Sequence, residues 1–315
     1  MNFGKVIKQE ILGKIPKSKC CKKAFLSGLI RGSGSLYIKD GELALDFSVS
    51  DEDLAYVVSS LFESLYSYQM RELSVMEDRL NKKDRFVMSI VGDEATDILL
   101  DLGILIENDE DVSVNFRLFS SVTEKECCMK SFLKGLFISS GSCTVPGFNE
   151  TGKTGYHLEL AFTHTAPASE MVGKLLEYGI EAKATRRKES IVVYVKNSES
   201  IKNFIALIGA PVSVLKLTDL IINKELANNS NRQANCDLGN VSRQIEAFEK
   251  QLSAINKIKD TCGLESLKKD LNETAIARIN NPEETLQELA DRLNITKSCL
   301  NHRLRKIVQI AEQLK

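Results

Sequence analysis

The chain has 315 residues, of which 43% are hydrophobic and 27% are charged, and its formal net charge is −1. This composition is typical of a folded globular protein and excludes disordered, collagen-like and membrane-embedded classes. At roughly 100 to 200 residues per domain, the length predicts two or three domains.

The N-terminal segment MNFGKVIKQEILGKI is amphipathic but lacks the apolar centre of a signal peptide. No run of the sequence approaches the roughly 20 apolar residues that a membrane span requires. We therefore expect a cytoplasmic protein without membrane contact. Eight cysteines in a chain without an export signal do not resemble a secreted disulfide framework, so reduced thiols are expected.

A sixteen-residue pattern occurs twice, as CCKKAFLSGLIRGSGS from Cys20 and as CCMKSFLKGLFISSGS from Cys127. Such self-similarity indicates an internal duplication. Each copy predicts an apolar helix with a glycine inside it, Gly28 in the first and Gly135 in the second. Because a glycine inside a helix usually marks close backbone approach, we expect the two helices to pack face to face at the seam between two halves.

The segments that contain the two copies, at about 18–108 and 125–212, are predicted to fold alike as α+β units. In the first unit we predict a helix at 18–31, strands at 35–38 and 42–50, a helix at 51–68, strands at 71–76 and 85–91, and a helix at 93–102. In the second unit we predict, after the repeated helix, a strand at 156–164, a helix at 167–178, strands at 181–186 and 190–195, and a helix at 198–208.

A helix at 213–230 is expected to end in the polar cluster ANNSN, which predicts a boundary between a domain at 1–230 and a helical domain at 231–315. The second of these domains carries 14 Lys and Arg against 12 Asp and Glu, whereas the first carries 28 against 31. The basic character is therefore local to the C-terminal domain, where contacts with nucleic acid are expected.

The C-terminal domain begins with a predicted helix at 240–258, and another is predicted at 264–279 before the break at Pro282. The first carries an apolar stripe formed by Val241, Ile245, Phe248, Leu252, Ile255 and Ile258. We expect this stripe to pack under the following helices, with a dimer interface as the alternative. The polar segment before it is expected to supply helix caps, or else phosphate contacts, through Arg232, Asn235 and Asn240.

Residues 284–311 have the pattern of a helix-turn-helix. Thr285 followed by Glu288 predicts a capping box for the first helix. Its apolar face is predicted to contain Leu286, Leu289, Ala290 and Leu293. Asn294 and Ile295 then predict a tight turn, and Thr296 is placed to cap the second helix. The buried side of that second helix is predicted to contain Leu300, Leu304, Ile307 and Ile310.

The open side of the second helix is predicted to bind double-stranded DNA in the major groove. It contains Lys297, Ser298, Asn301, His302, Arg305 and Lys306, with Arg303 at its flank. Arg and Lys pair with guanine edges or phosphates, Asn can bind adenine with two hydrogen bonds, and Ser reaches either base or phosphate. A helical hairpin that only stabilises its domain is the alternative.

The motifs LSGLIRGSGS and LKGLFISSGS resemble degenerate LAGLIDADG motifs, the paired central helices of homing endonucleases. In that family, an acidic residue before the last glycine of each motif holds the metal ions that drive phosphodiester cleavage. The matching residues are Ser33 and Ser140, and the earlier acidic position holds Arg31 or Ile138. Because a neutral hydroxyl is a weak ligand for Mg²⁺, we predict a catalytically silent scaffold without metal or cofactor.

Basic residues of the second predicted α+β unit are a secondary candidate for DNA contact, although a solvated hairpin tip is favoured. They are Arg186, Arg187 and Lys188, with Lys183 and Lys196 nearby and with Lys82, Lys83 and Arg85 as counterparts in the first unit. His157 and His164 have no partners at metal-ligand spacing and are expected to be polar-face or core residues.

Two adjacent cysteine pairs, Cys20 with Cys21 and Cys127 with Cys128, open the two copies of the repeat. Four thiolates would suit Zn²⁺ if the two helix starts converged. Neighbouring residues on a helix point about 100° apart, however, and zinc sites usually have a longer gap between ligands. We therefore favour small buried hydrophobic residues at a helix start.

A degenerate double LAGLIDADG scaffold followed by NRQANCDLGN and ITKSCLNHRLRKI resembles the WhiA family of bacterial regulators over essentially the whole chain. The resemblance implies a pseudo-symmetric duplicated α+β domain followed by an all-α helix-turn-helix domain. It also implies a nucleoid-associated, sequence-specific transcription regulator that acts in sporulation, or in cell division and chromosome segregation. The alternatives are an active endonuclease or RNA maturase, and an adaptor that binds other proteins through the scaffold.

Overall fold

The structure is a computed structural model of the chain. It describes residues 2–49, 52–70, 73–78, 83–108, 111–118, 121–148 and 155–314, with the backbone alone at 73–78 and 83–85. The chain divides into two compact units, Met1–Lys224 and Glu225–Lys315. The first of these compact units contains both of the α+β units that were predicted from the repeat, which form its first and second halves.

The first half of the first unit begins with a helix that was not predicted, α1, and continues with helices and an antiparallel sheet in the predicted order. Its elements are α1 (Phe3–Leu12), α2 (Lys19–Ser33), β1 (Gly34–Lys39), β2 (Glu42–Val49), α3 (Glu52–Tyr66), β3 (Leu73–Asp78), β4 (Lys83–Val91) and α4 (Asp93–Asp101). The strands form one sheet in the order β1-β2-β4-β3. A hairpin that the sequence analysis did not predict follows, formed by β5 (Leu105–Asn108) and β6 (Asp111–Val114).

The second half of this unit repeats the same architecture. Its elements are α5 (Glu126–Ser140), β7 (Gly141–Thr144), β8 (His157–Phe162), α6 (Thr165–Glu177), β9 (Lys183–Arg187), β10 (Ser190–Val195) and α7 (Ser198–Leu207). Its strands form an antiparallel sheet in the order β7-β8-β10-β9, which is the order of the first sheet. The predicted duplicated α+β fold is therefore confirmed.

Helices α2 and α5 pack together through their glycines, as predicted. A methyl group on Gly28 would lie 2.1 Å from the carbonyl oxygen of Phe132, and one on Gly135 would lie 2.0 Å from the carbonyl oxygen of Phe25. Real side-chain carbons do not approach an oxygen this closely, so only glycine permits this separation of the backbones. The flanking residues that complete the core of the seam are Phe25, Leu26, Leu29, Phe132, Leu133 and Leu136, all fully buried.

Helix α8 (Pro211–Cys262) corrects the predicted helix end at residue 230. It runs without interruption through the polar cluster at 227–231. Asn and Ser are weaker helix formers than Ala by less than about 0.7 kcal/mol per residue, so a short polar cluster without Pro does not end a helix. The helix caps predicted at Arg232, Asn235 and Asn240 are therefore wrong, because these residues lie inside the helix.

The apolar stripe on α8 packs only in its C-terminal part. Ile255 and Ile258 are fully buried, whereas Val241 and Ile245 are each 52% exposed. The ring of Phe248, at the edge of the buried part, lies 4.6 Å from the guanidinium of Arg278. The prediction that the whole stripe packs under the following helices is therefore right for its last residues and wrong for its first.

All of the secondary-structure elements among the described residues of the second unit are helices. After α8 come a 3₁₀ turn (Leu264–Ser266), α9 (Lys269–Asn280), α10 (Leu286–Arg292) and α11 (Lys297–Gln313). The predicted helix at 264–279 therefore starts later than expected. The core of the unit contains Ile255, Ile258, Leu271, Ala275, Leu289, Ala290, Leu300, Leu304 and Ile307. Among the described residues of the chain, no helix is long and apolar enough to cross a membrane.

Candidate nucleic-acid interface

The first helix of the helix-turn-helix, α10, begins with the predicted capping box. The hydroxyl of Thr285 accepts a hydrogen bond from the backbone amide of Glu288 at 3.3 Å. The carboxylate of Glu288 accepts one in return from the backbone amide of Thr285 at 2.7 Å. Two amides that the helix itself leaves unpaired are thus satisfied, which fixes where α10 begins.

The turn between the two helices also has the predicted form. Asn294 has a φ of 55°, in the left-handed region that Asn tolerates better than most residues. The hydroxyl of Thr296 then accepts a hydrogen bond from the backbone amide of Cys299 at 3.2 Å and caps α11. The turn and the cap together determine which face of α11 packs against the core and which remains open.

The packed side of α11 is close to that predicted from the sequence. Leu300, Leu304 and Ile307 are buried against Leu289 and Ala290 in one apolar core. Ile310 is only partly buried, and Ala311 is the buried residue at this end of the helix. Burial of one side leaves the opposite side of the helix accessible.

The open side of α11 is cationic. Of the residues predicted to bind DNA, Lys297, Ser298, His302, Arg305 and Lys306 are exposed, while Asn301 and Arg303 are half-buried. Over the part of the chain that the structure describes, Lys297, Arg305 and Lys306 form no ion pair with an acidic side chain. Their charges are therefore available to an anionic ligand.

Arg303 differs from the other cations of α11. Its guanidinium lies 3.6 Å from the carboxylate of Asp270 in α9, and it donates a hydrogen bond to the Asp270 carbonyl oxygen at 3.4 Å. Its side chain is only 19% exposed. Arg303 was predicted at the flank of the open face, but its pairing with Asp270 could not be predicted, because a contact between helices leaves no local pattern in the sequence.

The two serines at the degenerate catalytic positions occupy equivalent places in the first unit. Ser33 is the last residue of α2, and its hydroxyl donates a hydrogen bond to the Leu29 carbonyl oxygen at 3.2 Å. Ser140 is the last residue of α5, and its hydroxyl donates to the Leu136 carbonyl oxygen at 3.1 Å. Both hydroxyl protons are therefore directed back along their own helices.

No substitute set of metal ligands surrounds the two serines among the described residues. In that part of the chain, one group of three or more close His, Cys, Asp or Glu side chains is found, and it lies away from both serines. Arg31, at the earlier acidic position, donates hydrogen bonds to the carbonyl oxygens of Asn115 and Gly103. Burial lowers the pKa of Arg31 to about 10, so it remains a cation at neutral pH. Ile138, its counterpart, is buried in the core.

The secondary DNA candidates lie in two places. Arg186 and Arg187 are exposed on β9, at the edge of the second sheet, and Lys188 is exposed in the turn that follows. Arg187 lies 3.4 Å from the carboxylate of Glu159, which also pairs with His157. Arg232 is exposed on α8. Their predicted counterparts in the first half of the same unit are Lys82, Lys83 and Arg85. Lys82 and the side chains of Lys83 and Arg85 lie outside the described residues.

Comparison with known proteins places this scaffold and this helix-turn-helix in one family. Three family models match: the WhiA N-terminal LAGLIDADG-like domain at residues 19–105, the WhiA LAGLIDADG-like domain at 129–227, and the WhiA C-terminal HTH domain at 230–311. The chain belongs to the WhiA family.

WhiA proteins of several bacteria are similar to the chain over its full length. The probable cell division protein WhiA of Brevibacillus brevis is 34% identical, in an alignment that covers 100% of this chain and 98% of that protein. The probable cell division protein WhiA of Bacillus cytotoxicus is 33% identical with the same coverage. The crystal structure of full-length DUF199/WhiA from Thermatoga maritima matches with a TM-score of 0.59 at 25% identity, over 100% of this chain and 99% of that chain.

Within this WhiA-family scaffold, the structure brings together the four cysteines that open the two copies of the repeat. The sulfur atoms of Cys20, Cys21, Cys127 and Cys128 all lie within 4.8 Å of one another. Cys21 and Cys128 are buried, Cys20 is half-buried and Cys127 is exposed, so the expectation of four small buried residues holds for two of them. The two pairs lie together because α2 and α5 converge at their first turns, which is the condition that a shared Zn²⁺ site requires.

Proposed function

We propose that this WhiA-family chain is a sequence-specific DNA-binding regulator of transcription whose recognition element is α11. The observation that carries the proposal is the coincidence of a capped helix, packed on one side in the apolar core, with an open face of cations that have no acidic partner among the described residues. A helix presented in this way fits the major groove of a DNA duplex. The DNA-binding part corresponds to residues 231–315, with the helix-turn-helix at 284–311.

The spacing of the open residues supports contact with both bases and phosphates. Lys297 and Asn301 are one helical turn apart, as are Ser298 with His302 and Asn301 with Arg305. Lys297 and Ser298 lie in the first turn, where a recognition helix approaches base edges most closely. Lys306 completes the cationic face. In this arrangement Asn301 and Arg305 read bases, and Lys306 binds phosphates. Lys297 and Ser298 bind bases or phosphates.

Arg303 is proposed to position α11 instead of contacting DNA. Its contacts with Asp270 join α11 to α9 and leave little of the guanidinium accessible. The alternative, in which the helical hairpin only stabilises the unit, does not account for three exposed cations on the side opposite the core.

The LAGLIDADG-like unit is proposed to be catalytically silent. The serines at both matching positions are neutral and hydrogen-bonded to their own helices, so neither offers the charged oxygen that Mg²⁺ prefers. Arg186, Arg187, Lys188 and Arg232 are proposed as supplementary phosphate contacts, which would add salt-dependent affinity without sequence preference. Since the WhiA relatives are named probable cell division proteins, we place the regulated process in cell division.

Selection of bound duplexes from a random DNA pool by the full-length chain tests this proposal. We expect repeated rounds to enrich a defined motif, and footprinting to place α11 on it. The variant Asn301→Ala with Arg305→Ala is expected to lose the motif while it keeps weak binding to any duplex. A DNA pool without enrichment after repeated rounds would contradict sequence-specific recognition. Enrichment of a motif from a parallel random pool of single-stranded RNA would then favour the maturase alternative.

A further inference from the structure

The four cysteines at the start of α2 and α5 form a cluster of the size that a single metal ion requires. Their sulfur atoms lie within 4.8 Å of one another, and those of Cys127 and Cys128 are 3.9 Å apart. In a tetrahedral site with Zn–S bonds of about 2.3 Å, neighbouring sulfur atoms are about 3.8 Å apart. Small side-chain rotations are therefore sufficient to place all four around one ion.

The fold explains how two adjacent pairs can surround one point. Cys20 and Cys21 are the second and third residues of α2, and Cys127 and Cys128 are the second and third residues of α5. Adjacent residues on one helix diverge, but two helices that approach each other at their first turns present their pairs from opposite sides. The close packing at Gly28 and Gly135 holds this approach in place.

The surroundings and the accessibility of the cluster suit a structural metal ion. The hydroxyl of Ser18 lies 3.5 Å from the sulfur of Cys20, so it can support this ligand with a hydrogen bond. Cys21 and Cys128 are buried at the seam, as the ligands of a closed site are expected to be, and the exposed Cys127 provides a route from solvent.

We propose that Cys20, Cys21, Cys127 and Cys128 form a tetrathiolate Zn²⁺ site that joins the two halves of the LAGLIDADG-like unit at the seam. Soft thiolates select zinc over Mg²⁺ or Ca²⁺, and four protein ligands leave no open position, which is the arrangement of a structural site. The ion connects residues more than 100 positions apart along the chain and adds stability through metal binding coupled to folding.

Metal analysis of the full-length chain, purified anaerobically after growth with added Zn²⁺, tests the site directly. We expect one Zn²⁺ per chain by mass spectrometry of the metals. Exchange for Co²⁺ is expected to give the visible absorption of a tetrahedral site and the charge-transfer bands of thiolate ligands. A zinc content far below one ion per chain, or iron in place of zinc, would overturn the proposal. A cobalt spectrum without thiolate bands would overturn it as well.

The variant Cys20→Ser with Cys127→Ser removes the two more accessible ligands and is expected to lose the zinc. The matched control is Cys236→Ser with Cys262→Ser, because both of these cysteines are exposed and lie outside the cluster. A chelator is expected to lower the Tm of the wild type and of the control but not that of the cluster variant. Full zinc content in the cluster variant, or a disulfide among the four cysteines of the anaerobic wild type, would overturn the proposal. If the cluster variant does not fold, the cobalt spectrum of the unaltered chain decides.

Discussion

Gly28 of α2 faces the carbonyl oxygen of Phe132 in α5, and the reciprocal pair, Gly135 with the carbonyl oxygen of Phe25, repeats this contact across the seam. The backbones of the two helices are therefore as close as the backbone atoms allow. The same contact joins the first half of the LAGLIDADG-like unit to the second and brings the two cysteine pairs together. Loss of this contact is expected to disturb the packing of the two halves and the approach of the two cysteine pairs.

The variant Gly28→Ala is expected to destabilise the chain, because its new methyl group would lie 2.1 Å from the Phe132 oxygen. Overpacking of this kind costs about 1 to 3 kcal/mol or more. The matched control is Gly173→Ala, since a methyl group on this exposed helical glycine meets no atom of the described residues within 4 Å. Urea unfolding of both variants measures the difference. Equal stability of Gly28→Ala and the wild type would contradict the close packing.

The variant Thr296→Ala is expected to lower the stability of the C-terminal unit by about 1 kcal/mol, because the cap on the Cys299 amide is lost. Thr296→Ser keeps a hydroxyl and is expected to behave nearly as the wild type. Thermal unfolding of the full chain, followed by circular dichroism, reports the change. A Thr296→Ser variant as unstable as Thr296→Ala would show that packing of the methyl group matters more than the cap.

Arg303 and Arg305 form a natural pair for comparison, since they are the same residue type two positions apart on α11. Arg305→Ala is expected to weaken binding to the selected DNA motif on the order of tenfold, because an exposed base contact is lost. Arg303→Ala is expected to leave the salt dependence of DNA binding unchanged and to reduce stability by less than about 1 kcal/mol, since its partner Asp270 is largely exposed. Equal losses of affinity in the two variants would contradict the separate roles.

The double variant Ser33→Asp with Ser140→Asp is expected to remain without nuclease activity. It restores acidic groups at the ends of α2 and α5, but cleavage also requires substrate placement and supporting residues around the ligands. Nicking of supercoiled plasmid in Mg²⁺ buffer, with an EDTA control, measures this. Metal-dependent nicking by the double variant alone would show that only the acidic anchors were lost.

The parts of the molecule that depend on local pattern could be predicted from the sequence. The capping box of Thr285 and Glu288 and the cap by Thr296 each require residues close together in the chain, and each copy of the repeat is visible as a local pattern around Gly28 or Gly135. The spacing of such residues is visible without a structure. The duplicated fold and the open face of α11 follow from these patterns.

The remaining features depend on contacts between distant residues. The convergence of Cys20 with Cys128 depends on how α2 and α5 approach each other, and the pairing of Arg303 with Asp270 depends on how α11 packs on α9. Neither of these two contacts produces a regular spacing of residues in the sequence. The continuity of α8 through 227–231 was missed for another reason, because weak helix formers were interpreted as a boundary although no Pro is present there.

Fluorescence anisotropy of a labelled DNA duplex, titrated with the full-length chain at several salt concentrations, tests the central proposal most directly. The wild type is expected to bind with an affinity that falls steeply as salt increases. Lys297→Ala with Arg305→Ala is expected to lose on the order of 100-fold in affinity, from two contacts of about 1.4 kcal/mol each. The control Lys259→Ala with Lys268→Ala removes the same charge from exposed positions outside α11 and is expected to bind as the wild type. No binding by the wild type at low salt, or a correctly folded α11 variant that binds as tightly as the control, would contradict recognition of DNA by α11.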